Sequence, residues 1–390
     1  MSLPPNLAAL RDIAMQTSCE NWAMRQRWKL SRGLDRSGPC PLCGGDDRFS
    51  IHTKKNQFHC RKCDLSGSGV IELVMQTKGL KFVDACELIT GRVLEDEVDP
   101  EVARKAREKA EADDESRRLQ AERYREKARR SGYEIWTRSR RFQDFGEHSA
   151  VAAYLRLRGL DPERFMSLGI NIVHELEAHD YRHEVARGDW QTLASGPAMA
   201  LAIQRPDGSF GAAHQTWIDL TQPKGRLVLT APDGKQLSSK KMLGSKKGGA
   251  IRIYTPDTPR RLVVGEGFET TATPLLYDFR PGTAYWAAGD VGNMAGRALR
   301  DGAGMQVLDQ PDMDDLDAFV PPEWCEELVF LGEGDDGDIN TKKLTRGLRR
   351  AKRLRPGLTA TLIPAPGPGQ DMNDLVRGGC MSSGDEVGLG

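Results

Sequence analysis

Two Cys-x-x-Cys pairs constrain what the N-terminal part of this chain can fold into. Cys40 and Cys43 form the first pair, and Cys60 and Cys63 form the second, with sixteen residues between the pairs. Two such turns can bring four thiolates to the corners of a tetrahedron, which is how Zn²⁺ is held in zinc ribbons. Because four protein ligands close the site, the sequence predicts a structural zinc that stabilises the fold and takes no part in chemistry.

The rest of the composition bounds the class of protein. The other four of the eight cysteines are scattered, which indicates a reducing compartment. Lys and Arg total 56, as do Asp and Glu, and a neutral sum does not exclude nucleic acid, because basic patches and acidic metal sites cancel. We find no apolar run of about eighteen residues and no signal-peptide pattern. We therefore expect a soluble, cytoplasmic protein with no membrane partner.

A carboxylate stands at the end of a predicted buried strand. Leu262–Val264 is a short apolar run stopped by Gly265, and Glu266 follows it between two glycines. Ligands of open α/β sheets bind outside the carboxyl ends of the strands, so Glu266 is a candidate site residue. The alternative is a solvated glutamate in a turn.

An acidic cluster follows a second predicted strand, Glu327–Leu331. Four carboxylates within six residues repel one another unless a cation lies among them, and hard divalent cations take oxygen ligands. With Glu266, this cluster predicts a Mg²⁺ or Mn²⁺ site for phosphoryl chemistry. The acidic segment Asp309–Glu323 is a rival, which we interpret as a solvated linker. The cluster consists of Glu333, Asp335, Asp336 and Asp338.

The predicted fold class is a multidomain α+β and α/β chain. We expect a zinc-ribbon domain at 1–92, a charged helical linker at 93–131, a mixed α+β subdomain at 132–258, an α/β domain at 259–378 and a disordered tail at 379–390. One helix is predicted from Leu7 to Trp28. A basic, glycine-punctuated loop precedes the Glu266 strand and could hold nucleotide or template, although it could also be a plain solvated loop. Its candidate contacts are Lys240, Lys241 and Lys246.

Three motifs resemble known families. Pro39-Cys40-Pro-x-Cys43-Gly-Gly-x-Asp-Arg48-Phe49, followed by Phe58-x-Cys60-x-x-Cys63, is similar to the zinc-binding domain of phage and plasmid primase-helicases. Glu266 followed by the acidic cluster resembles the Toprim domain, and Asp371-Met-Asn-Asp-Leu resembles the ending of Toprim primases of mobile elements. Glu333 departs from the family's first Asp, so the operative pair stays open between Asp335 with Asp338 and Glu333 with Asp335. No Gly-x-x-x-x-Gly-Lys-Ser/Thr motif of a helicase occurs.

The resemblance implies a DNA primase that makes short RNA primers on single-stranded DNA from nucleoside triphosphates. A replicative helicase would then act in trans, in a bacterial cell, and a phage or plasmid could encode the protein. Its alternatives are a Toprim-type metal-dependent nuclease and a non-catalytic zinc-ribbon DNA-binding accessory. The implied catalytic residues are Glu266, Asp335, Asp338 and Lys241, the implied magnesium ligands are Glu266, Glu333, Asp335, Asp336 and Asp338, and the implied DNA contacts are Arg48, Phe49, Arg61 and Lys62. For Phe49, the alternative is a place in the small core behind the zinc.

Overall fold

A computed structural model describes residues 4–63, 65–94, 100–186, 188–300, 306–334, 338–367 and 369–377. These residues form two compact units, with the boundary between Arg123 and Tyr124. Asp335, Asp336, the side chain of Asp338 and the predicted tail 379–390 lie outside the described residues.

The first unit is a small sheet covered by short helices. Its four strands are antiparallel in the order β1-β2-β3-β4. The predicted helix Leu7–Trp28 is wrong as one element, because a second helix begins after Ser18, whose Oγ accepts a hydrogen bond from the Asn21 amide at 3.0 Å. The elements are α1 Pro5–Ala14, α2 Cys19–Arg25, β1 Asp35–Cys40, β2 Gly44–His52, β3 Gln57–Cys60, β4 Ser66–Ser68, α3 Val70–Lys78 and α4 Phe82–Thr90.

A long charged helix follows the first unit in sequence. Helix α5, Pro100–Arg138, has 39 residues and contains the boundary between the two units. Its exposed side chains pair at i,i+4 spacing, for example Arg104 with Glu108 at 2.7 Å. Helix α5 spans residues 100–131 of the segment predicted as a charged helical linker and continues seven residues further, and the role of this segment as a linker stays a prediction.

The second unit begins with an antiparallel sheet of order β11-β8-β7-β6-β5, against which α6 and α7 pack. The elements are β5 Arg140–Arg141, α6 Ala150–Leu157, α7 Pro162–Ser167, β6 Val173–Ala186, β7 Asp189–Gln204, β8 Phe210–Trp217, β9 Leu229–Thr230, β10 Gln236–Leu237 and β11 Lys240–Gly244.

A second five-stranded sheet, of order β12-β14-β13-β17-β18, positions the candidate site. Strands β14, β13, β17 and β18 are parallel, and β12 is an antiparallel edge. Since β13 and β17 are parallel neighbours, their carboxyl ends meet at one edge of the sheet. The elements are β12 Ile251–Tyr254, β13 Arg261–Gly265, α8 Phe268–Tyr277, β14 Thr283–Ala287, α9 Val291–Ala295, β15 Ala298–Arg300, β16 Gln306–Pro311, β17 Glu327–Leu331, α10 Asp338–Leu354, β18 Thr359–Ile363 and α11 Met372–Arg377.

One hydrophobic core joins the two sheets of the second unit. It contains Met199 and Leu201 of β7 together with Val263 of β13 and Leu275 of α8. The predicted domain boundary at 258/259 therefore does not separate two hydrophobic cores. The division of the chain into two domains at this point stays a prediction.

The acidic segment Asp309–Glu323 is not a solvated linker throughout. Asp315 is only 5% exposed, and its carboxylate accepts a hydrogen bond from the Arg297 amide at 2.7 Å. Arg350 of α10 donates to the carbonyl oxygens of Asp315 and Phe319. That interpretation was wrong for Asp315, which belongs to the packed structure.

None of the helices in the described ranges is both long and apolar enough to cross a membrane.

Candidate zinc site and active-site cleft

The four cysteines of the two Cys-x-x-Cys pairs converge in the first unit. Their Sγ atoms all lie within 4.8 Å of one another, with 3.6 Å between Cys40 and Cys63 and 3.5 Å between Cys43 and Cys60. Four sulfurs bound to one zinc at about 2.3 Å lie roughly 3.8 Å apart, so the thiols fit a tetrahedral Zn²⁺. Within the part of the chain that the structure describes, no other cluster brings three or more metal-type ligands together.

The candidate DNA contacts around the zinc site differ in exposure. Phe49 is fully buried, with Trp28 edge-on at 5.6 Å between ring centroids and Phe58 at 6.5 Å. Its ring is therefore not available to stack on a base, and its place in the core behind the zinc explains the residue. Arg48 is half-buried, whereas Arg61 and Lys62 are exposed, and Arg61 forms an ion pair with Asp47 at 2.6 Å.

Substitution separates these two kinds of residue. We expect Phe49→Ala to reduce the unfolding free energy of the first unit by about 3–5 kcal/mol, because it leaves a cavity in a small core. Arg61→Ala should change that energy by less than about 1 kcal/mol, since its ion pair is exposed. Urea unfolding followed by tryptophan fluorescence would measure both. A Phe49→Ala variant as stable as wild type would contradict the burial.

A cleft of about 250 Å³ opens in the second unit at the carboxyl end of β13. It is lined by acidic and basic side chains from both sheets and from the C-terminal helix region. The lining residues with ionisable or amide side chains are Arg158, His214, Lys224, Arg226, Lys240, Glu266, Glu269, Glu333, Gln370, Asp371 and Asp374.

Glu266 and Glu333 form the acidic side of this cleft. Glu266 follows β13 and Glu333 follows β17, and Glu333 accepts a hydrogen bond from Thr270 Oγ1 at 2.8 Å. Burial and the neighbouring Glu266 carboxylate raise the pKa of Glu333 to about 7. A half-buried carboxyl beside a second carboxylate is a donor set that fits a hard divalent cation, because Mg²⁺ takes one or two carboxylates together with substrate phosphates.

A buried glutamate, Glu269, also lines the cleft. The side chain of Glu269 is 3% exposed. Its Oε1 accepts hydrogen bonds from Tyr154 at 2.5 Å and from Arg226 at 2.7 Å, and its Oε2 accepts one from Lys240 at 3.0 Å. Burial alone would raise the pKa of Glu269, but Lys240 and Arg226 hold it well below its usual range.

Two further polar groups of the cleft have hydrogen-bonding atoms without partners. Arg158 is 2% exposed, and its Nε and one terminal nitrogen make no hydrogen bond. The Nδ1 atom of His214 is buried and also makes none, while burial and the charge of Lys240 lower the pKa of His214 to about 4. The lining of the cleft thus includes a buried guanidinium with two unpaired nitrogens, and its histidine is neutral near pH 7.

The structure separates the three lysines of the basic loop. Lys240 lines the cleft, whereas Lys241, its neighbour on β11, donates to the Arg182 carbonyl and lies 3.7 Å from the centroid of the Tyr181 ring. Lys246 pairs with Asp290, and its pKa, lowered by burial, is partly restored by Glu266. The structure does not bring the Lys241 side chain to the acids of the cleft, because alternate residues of a strand face opposite sides. It therefore does not support the catalytic role predicted for Lys241.

Several residues of the cleft were missed at the level of sequence. Glu269 lies three residues after Glu266, and Asp371 and Asp374 lie in the Asp-x-Asn-Asp motif, but the sequence analysis had predicted no role for these three residues. Arg226 and Arg158 carry no local signal, since their contacts come from distant segments.

Comparison with known proteins identifies parts of the chain. Residues 35–70 match the model described as the zinc-binding domain of primase-helicase. Residues 126–253 match a domain of unknown function, DUF7146. No curated protein matched the sequence.

Similar solved structures include three primases. The zinc-binding and RNA polymerase domains of the Aquifex aeolicus primase share 12% identity over 95% of this chain and 82% of that one, with a TM-score of 0.36. The primase fragment of the bacteriophage T7 primase-helicase shares 12% identity over 90% of this chain and 96% of that one, with a TM-score of 0.30. A DNA primase domain from Pseudomonas aeruginosa shares 14% identity over 64% of this chain and 74% of that one, with a TM-score of 0.37. Similarity at this level leaves the activity to be inferred from the residues of the chain.

The first unit therefore carries a four-cysteine zinc ribbon of the kind found in primases. The chain is primase-like in this domain, as the cysteine and arginine motif had indicated.

Proposed function

We propose that this protein is a DNA primase that joins nucleoside triphosphates on a single-stranded DNA template. The proposal rests on one cleft that contains two carboxylates, Glu266 and Glu333, together with several cations, in a chain that has a primase-type zinc ribbon. We call the side of the cleft formed by Arg158, Arg226 and Lys240 the basic wall. The parallel sheet with Glu266 and Glu333 after neighbouring strands is the arrangement expected of a Toprim domain.

Different residues of the cleft would bind the metal and the phosphates. Glu266 and Glu333 would hold Mg²⁺ or Mn²⁺, with the remaining acids at 335–338 as further candidates. When bound, the metal would lower the pKa of the attacking hydroxyl and neutralise charge on the leaving pyrophosphate. Lys240, Arg226 and Arg158, which line the cleft, would hold the triphosphate.

The zinc ribbon would contact the template. Arg61 and Lys62 are exposed cations, and Arg48 is half-buried, with its carbonyl oxygen accepting a hydrogen bond from the Arg61 amide at 2.9 Å. Cations of this kind bind phosphates and base edges. We propose that a replicative helicase acts together with this chain in trans.

A primer-synthesis assay tests the proposal. The full chain is incubated with labelled nucleoside triphosphates, Mg²⁺ or Mn²⁺ and random-sequence single-stranded DNA, and the products are separated on a sequencing gel. We expect short oligomers that require both template and metal. Shortened template would support a metal-dependent nuclease. DNA binding that needs no divalent metal, without products, would support an accessory protein, because phosphate binding depends on salt and not on Mg²⁺.

A further inference from the structure

Glu269 lies where three segments of the second unit meet. It belongs to the first turn of α8, while Tyr154 comes from α6, Lys240 from β11 and Arg226 from the connection between β8 and β9. Both of its carboxylate oxygens are engaged, and Arg226 Nε also donates to the Tyr154 hydroxyl at 3.0 Å. The four side chains thus form one closed network, which we name the Glu269 network.

The two cations of the Glu269 network, Arg226 and Lys240, also face the cleft. The side chains of Arg226 and Lys240 are 23% and 27% exposed, although the carboxylate that they share is 3% exposed. Each cation therefore has one side bound to Glu269 and another side that reaches the cleft.

Glu269 is also tied to the acidic side through the chain. It lies three residues after Glu266, and Thr270, its next neighbour, donates to Glu333. One turn of backbone thus carries a metal-ligand candidate, the anchor of the basic wall and the partner of Glu333. The two cations and Glu333 are therefore hydrogen-bonded to adjacent residues of this turn, Glu269 and Thr270.

We propose that Glu269 is a positioning residue that fixes Arg226 and Lys240 for the triphosphate of the incoming nucleotide, an inference that rests on the proposed function. Removing its charge would leave two cations, with Arg158 nearby, repelling one another without a shared anion. They would turn toward solvent, and the triphosphate would have to order them on binding. Glu269 itself would touch neither metal nor nucleotide.

Equilibrium binding tests this role on the full chain. We would titrate a fluorescent ATP analogue in the presence of Mg²⁺ and measure its Kd for wild type and Glu269→Gln. The amide keeps the shape and removes the charge, and we expect binding to weaken by about 10–100-fold, as is typical when a supporting residue is lost. Mn²⁺ affinity without nucleotide should be unchanged, because Glu269 is not a ligand.

A double-mutant cycle separates positioning from a general loss of stability. If Glu269 acts through Lys240, the effect of Glu269→Gln on nucleotide Kd should be much smaller in a Lys240→Met background. The matched control is Glu175→Gln, a buried glutamate of the same unit that accepts hydrogen bonds from Ser149 and the start of α6. It should lower the unfolding temperature and leave nucleotide Kd unchanged.

The outcomes are distinct. A Glu269→Gln variant that binds the nucleotide as wild type does, or effects that add fully in the cycle, would overturn the inference alone. If Glu269→Gln does not fold, Tyr154→Phe decides, since it removes a hydroxyl that donates to Glu269 and accepts from Arg226 Nε, and unchanged binding would overturn the inference. A wild-type chain that does not bind the nucleotide would overturn the proposed function and this inference together.

Discussion

Replacing Glu266 with alanine is expected to abolish primer synthesis, with a loss of at least about 10³-fold in rate. The carboxylate follows the central strand β13, and its neighbour Glu333 is a half-buried carboxyl whose pKa burial and Glu266 raise to about 7. A bound metal contributes several kcal/mol to phosphoryl transfer, and each 1.4 kcal/mol or so corresponds to a factor of ten in rate. Removing one of the two carboxylates on the acidic side of the cleft should therefore reduce both metal binding and turnover.

The measurement combines the sequencing-gel assay with Mn²⁺ binding followed by electron paramagnetic resonance. Glu326→Ala is the matched control, because Glu326 precedes β17 at the opposite end of the strand from Glu333 and its side chain is 67% exposed. It should leave both readouts unchanged. Full synthesis by Glu266→Ala would rule out Glu266 as a metal ligand. Full Mn²⁺ affinity with no synthesis would assign the metal to the acids at 333–338 alone.

The acidic side of the cleft could be predicted because its signals are local. Leu262–Val264 and Leu328–Leu331 are short apolar runs, each followed closely by an acid, and both are buried strands. In a parallel pair, equal strand direction brings the two ends together without knowledge of the register. The site at the strand ends therefore followed from two runs and their order.

The basic wall could not be predicted in the same way. Lys240 and Lys241 are adjacent in sequence, and a shift of one residue in strand register exchanges the faces of the two side chains. The register is fixed by pairing with β8, where Lys240 lies opposite Thr216. Arg226 and Tyr154 reach Glu269 from 43 and 115 residues away, and no local pattern encodes such contacts.

The burial of Phe49 shows the same limit at the zinc ribbon. Alternation in β2 gives Phe49 and Ile51 one face, and both are buried, whereas Arg48 and Ser50 are half-buried. In the sequence an aromatic residue follows the cation Arg48, which is equally typical of a stacking surface and of a core residue behind a metal. Only the packing with Trp28 and Phe58 decides between them.

Removing the zinc is expected to unfold the first unit and leave the second folded. Structural zinc contributes an apparent 10–16 kcal/mol or so to small zinc-finger domains, which equals or exceeds the roughly 5–15 kcal/mol by which whole domains are stable. Cys40 and Cys60 are themselves part of the hydrophobic core of this unit, so loss of the metal would disturb its packing as well. The core of the second unit contains no residue of the ribbon.

Cys60→Ser, or treatment with a zinc chelator, would therefore remove one zinc per chain and one of two unfolding transitions in calorimetry. The matched control is Cys86→Ala, which changes a buried thiol of the same unit that lies outside the four-cysteine cluster. It should keep its zinc and both transitions, with only the small cost of a shortened side chain. Because each unit has a hydrophobic core of its own, nucleotide binding in the second unit should survive the loss of zinc while template binding by the ribbon is lost. A zinc-free chain that retains both transitions would show that the thiol cluster is dispensable for folding.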